Sequence, residues 1–495
     1  MKNIFKLTLV TATLILSNSC SKDFLEKEPS EFITTQQVAE AASKNPDVIA
    51  GTMSGIYALM FQTGTGGTGG HDDFGQKGYD IFADMLSSDM ALSVSTYGWY
   101  RASITEYQCT QDYTYTDNYQ VWRYYYRIIR SANTVIGALG GNDAIPENVE
   151  NQYIMGQAKA IRAHSYFYLT QYFQKKYDPS ENILPFYDDL EDQNGPKVPA
   201  SQIYDLMISD LTSAISLLNG FERTDKVQIN QNVAKGILAY VYGAMGDKNQ
   251  EIKTLTDQII GSGEFTLMNE TEVLGGFNDV NTPGWMWGAD ITLDSGLDLV
   301  SWWGQMDYFS YSYAAYGDYK VIDEDLYDKI PADDVRKGQF YDVSTSVRFL
   351  QPLNKFYDAS RTPYGASTSV VADYIYMRVA EMYLLNAEAN AKIGNEPAAR
   401  TSLKALMNLR VPDASYVDGL SGQALLDEIS LQTRIELWGE GKSYLEMKRN
   451  KETRTRGPNH LSFVGVPIPY DDEKMTFEIP EAEILNNPFV SEQNN

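Results

Sequence analysis

Apolar residues recur at helical spacing along much of this chain, and the recurrence is broken by glycine-rich punctuation. From Gln36 to Phe61, Val48, Met53, Ile56, Tyr57 and Met60 fall on one face, which predicts a helix. That helix stops at Gly64-Thr65-Gly66-Gly67-Thr68-Gly69-Gly70, a run with the composition of a flexible break. Tyr119 to Leu139 carries the cleanest period. There Val121, Trp122, Tyr125, Ile128, Ile129, Ala132, Val135, Ile136 and Leu139 follow i, i+3/i+4, i+7 until Gly140-Gly141 ends the helix. Glu147 to Tyr172 predicts a second long helix, closed by Pro179 and Pro185. Ser201 to Leu218 predicts a third, with Ser201 as N-cap and Gly220 just beyond its end.

A phrase then repeats. Ala234 to Met245 ends in Gly246-Asp247 and is followed by a helical stretch from Lys248 to Ile260; Tyr374 to Ile393 ends in Gly394-Asn395 and is followed by Ala398 to Arg410. Small residues stripe the first helix of the second copy (Ala380, Ala387, Ala391), which lets a partner helix approach closely. Helix, Gly-Asp/Asn turn and helix is the tetratricopeptide pattern, and two copies beside earlier helix pairs predict a mainly α, solenoid-like scaffold. Its helices are expected over about 119–262 and 374–450.

Two segments lose the period: about 64–118 and about 263–372. The longer holds Gly284-Trp285-Met286-Trp287-Gly288, Ser301-Trp302-Trp303-Gly304 and the run from Tyr308 through Tyr311, Tyr313, Tyr316 and Tyr319. The shorter holds Tyr97-Gly98-Trp99-Tyr100. Long irregular insertions on a rigid scaffold are where binding usually resides.

The chain opens as a secretory signal: Lys2 and Lys6, an apolar run from Leu7 to Leu16 too short to span a bilayer, then Ser17-Asn18-Ser19 before Cys20. Small residues ahead of that cysteine resemble a bacterial lipobox, although Leu16 stands one position further from it than usual. Residues 1–19 are thus expected to be a lipoprotein signal peptide, Cys20 the lipidated first mature residue, and residues 20–32 a charged tether to one domain over 33–495. An ordinary signal peptide with an incidental cysteine is the alternative. No later apolar stretch has the length of a membrane span.

The formal charge is −26, and losing Lys2 and Lys6 with the signal takes it to −28. Such a surface repels nucleic acid and anionic bilayers, so the expected membrane attachment is through the lipid alone. Cys109 is the only other cysteine; with Cys20 committed to lipid, neither an internal disulfide nor a CxxC metal site is expected.

Several motifs of chemistry fail on their context. The glycine run lacks a following Gly-Lys-Ser/Thr and a strand-to-helix frame, so it is not read as a P-loop. His71-Asp72-Asp73 has no second ligand cluster at metal spacing and is expected to be a polar loop end; no metal and no cofactor are expected. There is no Gly-x-Ser-x-Gly elbow and no His-Glu-x-x-His helix. With 66 Asp and Glu, pairs such as Asp188-Asp189 and Asp333-Asp334 arise by chance, and His164 on an apolar helix is read as a packing residue.

Taken in order, these phrases resemble the SusD/RagB family of outer-membrane lipoproteins of Bacteroidetes, essentially end to end. The matching residues are Cys20-Ser21-Lys22-Asp23-Phe24-Leu25-Glu26, Trp122 through Ala132-Asn133-Thr134-Val135-Ile136, and Gly156-Gln157-Ala158-Lys159-Ala160-Ile161-Arg162-Ala163. They continue through Ala234-Lys235-Gly236-Ile237-Leu238-Ala239, Met377 to Leu384 with Ala387-Glu388-Ala389, Arg434-Ile435-Glu436-Leu437 with Glu440-Gly441-Lys442, and Ile479-Pro480 with Glu483 and Asn487-Pro488. Thr433 and Lys442 depart from the usual Glu and Arg at positions that read as buried helix-end pairing. The resemblance implies a tetratricopeptide-like scaffold with a loop-rich face. It also implies a non-catalytic, surface-exposed protein that captures a nutrient and acts as lid to a SusC-like TonB-dependent transporter barrel in the outer membrane. The implied ligand is an oligosaccharide, or alternatively an oligopeptide.

Sugar rings offer an apolar C–H face to aromatic rings and hydroxyls to polar neighbours. With 35 Tyr, 7 Trp and 19 Phe available, the candidate ligand-binding residues are Tyr97, Trp99, Trp302 and Trp303, with Trp285 and Trp287 in reserve. The competing expectation for each Trp is packing inside the insertions. A surface glycosidase built on two carboxylates is the rival of another class.

Overall fold

The computed structural model describes residues 46–359, 361 and 368–494, with side chains from residue 48 onward. The signal segment, Cys20, the tether and the first third of the helix expected over 36–61 lie outside the described residues.

What is described of that first helix, α1 (Pro46–Leu59), buries the expected face, with Met53, Ile56 and Tyr57 sealed. The glycine run after it is an ordered loop rather than a flexible break. The Gly66 and Thr68 backbone amides donate to the Asp73 carboxylate at 2.7 and 2.9 Å, as the Thr68 hydroxyl does at 2.8 Å. The amide cradle of this glycine run is thus filled by the chain's own Asp73 carboxylate. Helix α2 (Gln76–Leu86) follows inside the segment expected to be irregular. All eleven of its residues are buried, including Gln76, Lys77, Asp80 and Asp84, so it carries no amphipathic stripe by which to be read. Three of its polar side chains pair with one another, Lys77 with Asp80 at 2.9 Å and the Gln76 amide with Asp80 at 3.0 Å, while Asp84 accepts the Gly441 amide at 3.1 Å from outside the helix. Strand β1 (Met90–Ser95) then leads to the Tyr97–Trp99 loop.

Helices α3 (Thr116–Ala138) and α4 (Val149–Phe173) match their periodicity to within three residues at each end, α4 capped by Asn148. A short hairpin, β2 (Asn182–Pro185) with β3 (Lys197–Pro199), leads into α5 (Ala200–Leu217). Ser201 is not its N-cap: Pro199 holds that place, and the Ala200 and Ser201 amides donate to the Glu181 and Pro179 carbonyls. Next come α6 (Gln231–Met245), ended by left-handed Gly246, and α7 (Asn249–Gly261). From α3 to α7 each helix packs on its predecessor. Close approach depends on small residues: a Cβ on Gly156 of α4 would sit 2.8 Å from Leu218.

The long insertion contributes β4 (Trp285–Ala289), the one-turn helices α8 (Trp302–Met306) and α9 (Tyr313–Tyr316), and β5 (Asp318–Ile322). The chain returns as β6 (Tyr374–Arg378), where the expected helix begins only at α10 (Val379–Lys392), followed by α11 (Glu396–Met407). Residues 374–378 are buried on both faces and pair with β4, so an unbroken apolar run that reads as helix is a strand. Helix α10 packs directly on α7 across the insertion, with Asn386 donating to Thr256 Oγ1 at 2.9 Å and Asp257 Oδ1 at 2.8 Å. Ala380 and Ala387 lie buried in the satellite core of α10 and α11, as the small-residue stripe requires. Helices α12 (Gly422–Glu436) and α13 (Ser443–Asn450) complete the scaffold.

Two antiparallel ladders stitch the irregular segments to this frame. β4 pairs with β6 at the base of the long insertion, and β1 pairs with β5, bringing the short insertion against the long one. Of the two departures, Lys442 is buried 3.7 Å from Glu381, whereas Thr433 forms no ion pair: its hydroxyl donates to the Ile429 carbonyl at 2.8 Å, and it is neighbouring Arg434 that binds Asp89 at 2.5 Å. Cys109 is a free, buried thiol. Among the described residues no helix is long and apolar enough to cross a membrane.

Candidate functional site

The β1–β5 ladder ends at Ser95 opposite Asp318. Just past it the Asp318 carboxylate accepts the Thr96 and Tyr97 amides at 2.7 and 2.9 Å, turning the chain outward. Gly317, with φ of 123°, lets the other side of the turn approach; a Cβ there would lie 2.3 Å from Thr96 Oγ1. Tyr97-Gly98-Trp99 and the α9 turn are thereby presented on one rim. Ser312 caps that turn by accepting the Ala315 amide.

The rim is aromatic. Tyr97 is 55% exposed and meets Tyr313 edge-on at 5.2 Å; Trp99 is half-buried, stacked on His71 at 4.9 Å and 4°. The Tyr313 hydroxyl is hydrogen-bonded to His71 Nδ1 at 2.6 Å, locking imidazole, indole and phenol as one unit. Tyr311 and Tyr316, 47% and 44% exposed, lie 5.6 Å apart beside it. Such a surface offers flat apolar faces with polar edges, already rigid before a ligand arrives.

Beneath the rim the ground is charged but sealed. The Gln305 side-chain amide donates to the His71 carbonyl at 2.8 Å, and its oxygen accepts from buried Lys320 at 2.5 Å. Burial, with the Asp117 charge and hydrogen bond behind it, pushes the Asp72 carboxyl well above the carboxylate range; burial also raises Asp117. Burial lowers the Lys320 ammonium from 10.5 to about 8, Asp318 and Asp72 opposing it. Below about pH 8 Lys320 is charged in both folded and unfolded chains. As pH rises from there towards 10.5, the folded chain sheds a proton the unfolded chain keeps. Stability against urea is therefore expected to rise across that window through this group, and Lys320→Met is expected to flatten the rise. An unchanged slope in the variant would refute the assignment.

The other four candidate rings are not on this rim. Trp285, Trp287, Trp302 and Trp303 are each no more than 2% exposed. Trp285 and Trp287 lie in β4, with Trp287 Nε1 donating to the Val227 carbonyl at 2.9 Å and its ring edge-on to His164. Trp302 sits under the Lys77 ammonium at 4.0 Å and against Phe356; Trp303 Nε1 donates to the Ala372 carbonyl at 2.7 Å. Enclosed rings have no free face for a sugar, so these four are corrected from candidate ligands to the insertion's own core. His164 is a packing residue, its imidazole pushed down to about 3 by burial. His71 is more than a loop end, because its ring backs Trp99. Sequence reasoning passed over His71, Tyr311, Tyr313 and Tyr316 as site residues, although the tyrosine run had marked the segment.

A mainly helical frame with an irregular face bearing fixed aromatic rings is the architecture of a binding protein. A SusD family model matches residues 344–494, and a second model, described as starch-binding associating with outer membrane, matches residues 73–242. Both are models of SusD-type proteins, and each matches about a third of the chain. Among curated proteins it is 27% identical over 161 residues to SusD-like protein P25 of Formosa agariphila, covering 32% of this chain and 29% of that one. It is 23% identical over 256 residues to a SusD-like protein of Bacteroides ovatus, covering 49% and 40%. The chain thus spans less than half the length of the curated relatives it matches. Among solved structures, a SusD-like carbohydrate binding protein from Bacteroides vulgatus superposes with TM-score 0.73 at 24% identity, covering 90% of this chain and 96% of that one. Surface glycan-binding protein A from Bacteroides thetaiotaomicron gives 0.68 at 15% identity, covering 91% and 98%. At these identities the likeness is one of fold.

Proposed function

We propose that the protein captures an oligosaccharide at the cell surface, without chemical turnover, and hands it to a TonB-dependent outer-membrane transporter barrel that it covers as a lid. The observation that carries this reading is the aromatic rim of exposed Tyr97, Tyr311 and Tyr316 beside half-buried Trp99, whose ring is locked with His71 and Tyr313. Stacking on such rings suits the C–H face of a sugar and needs no charge on the ligand. The family model's description and the binding named for the solved relatives support a glycan over a peptide. Lipid on Cys20 would hold the domain at the membrane, each buried methylene adding about 0.8 kcal/mol.

Calorimetry of the mature protein against neutral oligosaccharides and against a mixed oligopeptide digest tests the ligand. Saturable binding of at least one glycan, recovered intact by chromatography afterwards, is the expected result. Binding of peptide alone, or shortened glycan in the recovered pool, overturns the reading.

A further inference from the structure

We infer that a groove along α3, sharing no residue with the rim, is a second binding site for a neutral stretch of oligosaccharide. This inference rests on the glycan reading above. The groove encloses about 570 Å³, within the range of small-molecule sites, and runs between α3, the loop after β2 and the C-terminal segment around residue 483.

Its floor is aromatic and fixed. The Tyr126 and Tyr187 rings are half-buried and meet edge-on at 5.6 Å and 78°. The Tyr126 hydroxyl donates to the Pro185 carbonyl at 2.8 Å, and Trp122 packs on the same ring at 4.9 Å. The Tyr126 ring is thus held in place before binding.

Its walls have opposite polarity. Arg123, Arg127 and Arg130, at i, i+4 and i+7 of α3, form one; Asp189, Asp192 and Glu483 stand on the other. No ion pair crosses the gap among the described residues. Each carboxylate is instead held from its own side: Asp192 accepts the Asp188 and Asp189 amides, Asp189 accepts the Glu191 amide, and Glu483 accepts the Asn487 side chain at 2.7 Å. Arg123 donates to the Thr65 carbonyl at 3.2 Å, while Arg127 and Arg130 are exposed.

Three guanidiniums facing three carboxylates leave the groove without net charge, in a chain whose formal charge is −26. A uronate or sulfated chain would meet the acidic wall, and a polycation would meet the arginines. A hydroxyl both donates and accepts, so a neutral polyol uses both walls at once: guanidinium N–H groups towards its oxygens, carboxylates towards its protons. The groove would lengthen the stretch of glycan held, or give a chain already seated at the rim a second grip.

The test uses the mature full chain with maltoheptaose, xylohexaose, mannohexaose and, as charged control, trigalacturonate. Arginine labelling by phenylglyoxal, read by mass spectrometry, reports on the groove independently of the rim. Expected is protection of Arg127 and Arg130 by a neutral probe at millimolar concentration. That protection should persist in Trp99→Ala, with about tenfold weaker binding to this site in the doubly substituted R127A/R130A, whose exposed side chains leave the fold intact. Neutral probe bound with both arginines fully reactive overturns the groove and leaves the rim standing. No neutral probe bound anywhere brings down both readings. Protection by trigalacturonate alone overturns the assignment of a neutral ligand.

Discussion

Glu436→Gln is expected to destabilise the protein by about 3–5 kcal/mol, the range for breaking a buried charge pair from one side. At most 2% exposed, Glu436 receives Arg336 at 3.1 Å, Arg378 at 2.6 Å and Arg410 through two bonds of 2.8 Å. Burial alone would raise its carboxyl; Arg410, Arg378 and Arg336 together overcome that and hold it well below the usual range. Neighbouring Glu440 takes Arg378 at 2.7 Å and Lys355 at 3.0 Å, and Asp334 takes Arg336 at 2.6 Å, but no other carboxylate reaches Arg410 among the described residues. The amide keeps the shape and removes the charge, leaving the buried Arg410 guanidinium without an anion and Arg336 and Arg378 each with one carboxylate instead of two. The cluster joins the end of α12 to the end of β6, to Arg410 three residues beyond α11 and to the 334–336 turn of the insertion, so its loss loosens insertion from scaffold. Urea unfolding followed by tryptophan fluorescence measures the effect, the insertion holding four of the seven tryptophans. Because the folded carboxyl is depressed, its contribution is complete above pH 4.5 and fades as pH falls further. A midpoint unchanged at neutral pH would show that the cluster does not bear on stability.

Helix α3 was legible because it is half-exposed: it alternates Ile128, Ile129 and Ala132 inward with Arg127 and Arg130 outward, and that contrast is what periodicity measures, whereas α4, buried throughout from Ile154 to Phe173, was legible by its length and its alanines. Where burial is complete the contrast vanishes. Helix α2 hides Lys77 and Asp80 as pairs in its interior, so its sequence looks irregular, and the both-faces-buried strand β6 merges with the helix it precedes. The same limit governs the candidate rings. Nothing local separates Trp303, whose indole is spent on the Ala372 carbonyl 69 residues away, from Trp99, whose indole stacks on His71 at the surface. The aromatic segments were visible in the sequence; which rings face out depends on the β1–β5 pairing, a contact between positions more than 200 residues apart.

Trp99→Ala is expected to weaken glycan binding by about 2 kcal/mol, roughly thirtyfold in Kd, with little change in urea midpoint. The indole is half-buried and carried on a turn held by backbone bonds from Thr96 and Tyr97 to Asp318, none of which involves its side chain. Its removal takes away a stacking face and frees His71, which keeps its Tyr313 bond. Trp303→Ala should behave oppositely. Emptying a fully enclosed site and stranding the Ala372 carbonyl is expected to lower stability by about 3–5 kcal/mol, with binding by the molecules that remain folded little altered. Calorimetry at a temperature where both variants are folded, paired with urea titration, separates the outcomes. The contrast also discriminates between sources of affinity. If the rim binds through its rings, affinity follows Trp99 and is indifferent to ionic strength, since stacking and neutral hydrogen bonds are not screened. If Trp99→Ala bound as tightly as the parent, or salt weakened the parent strongly, the ligand would be held by charge elsewhere and the rim would lose its role.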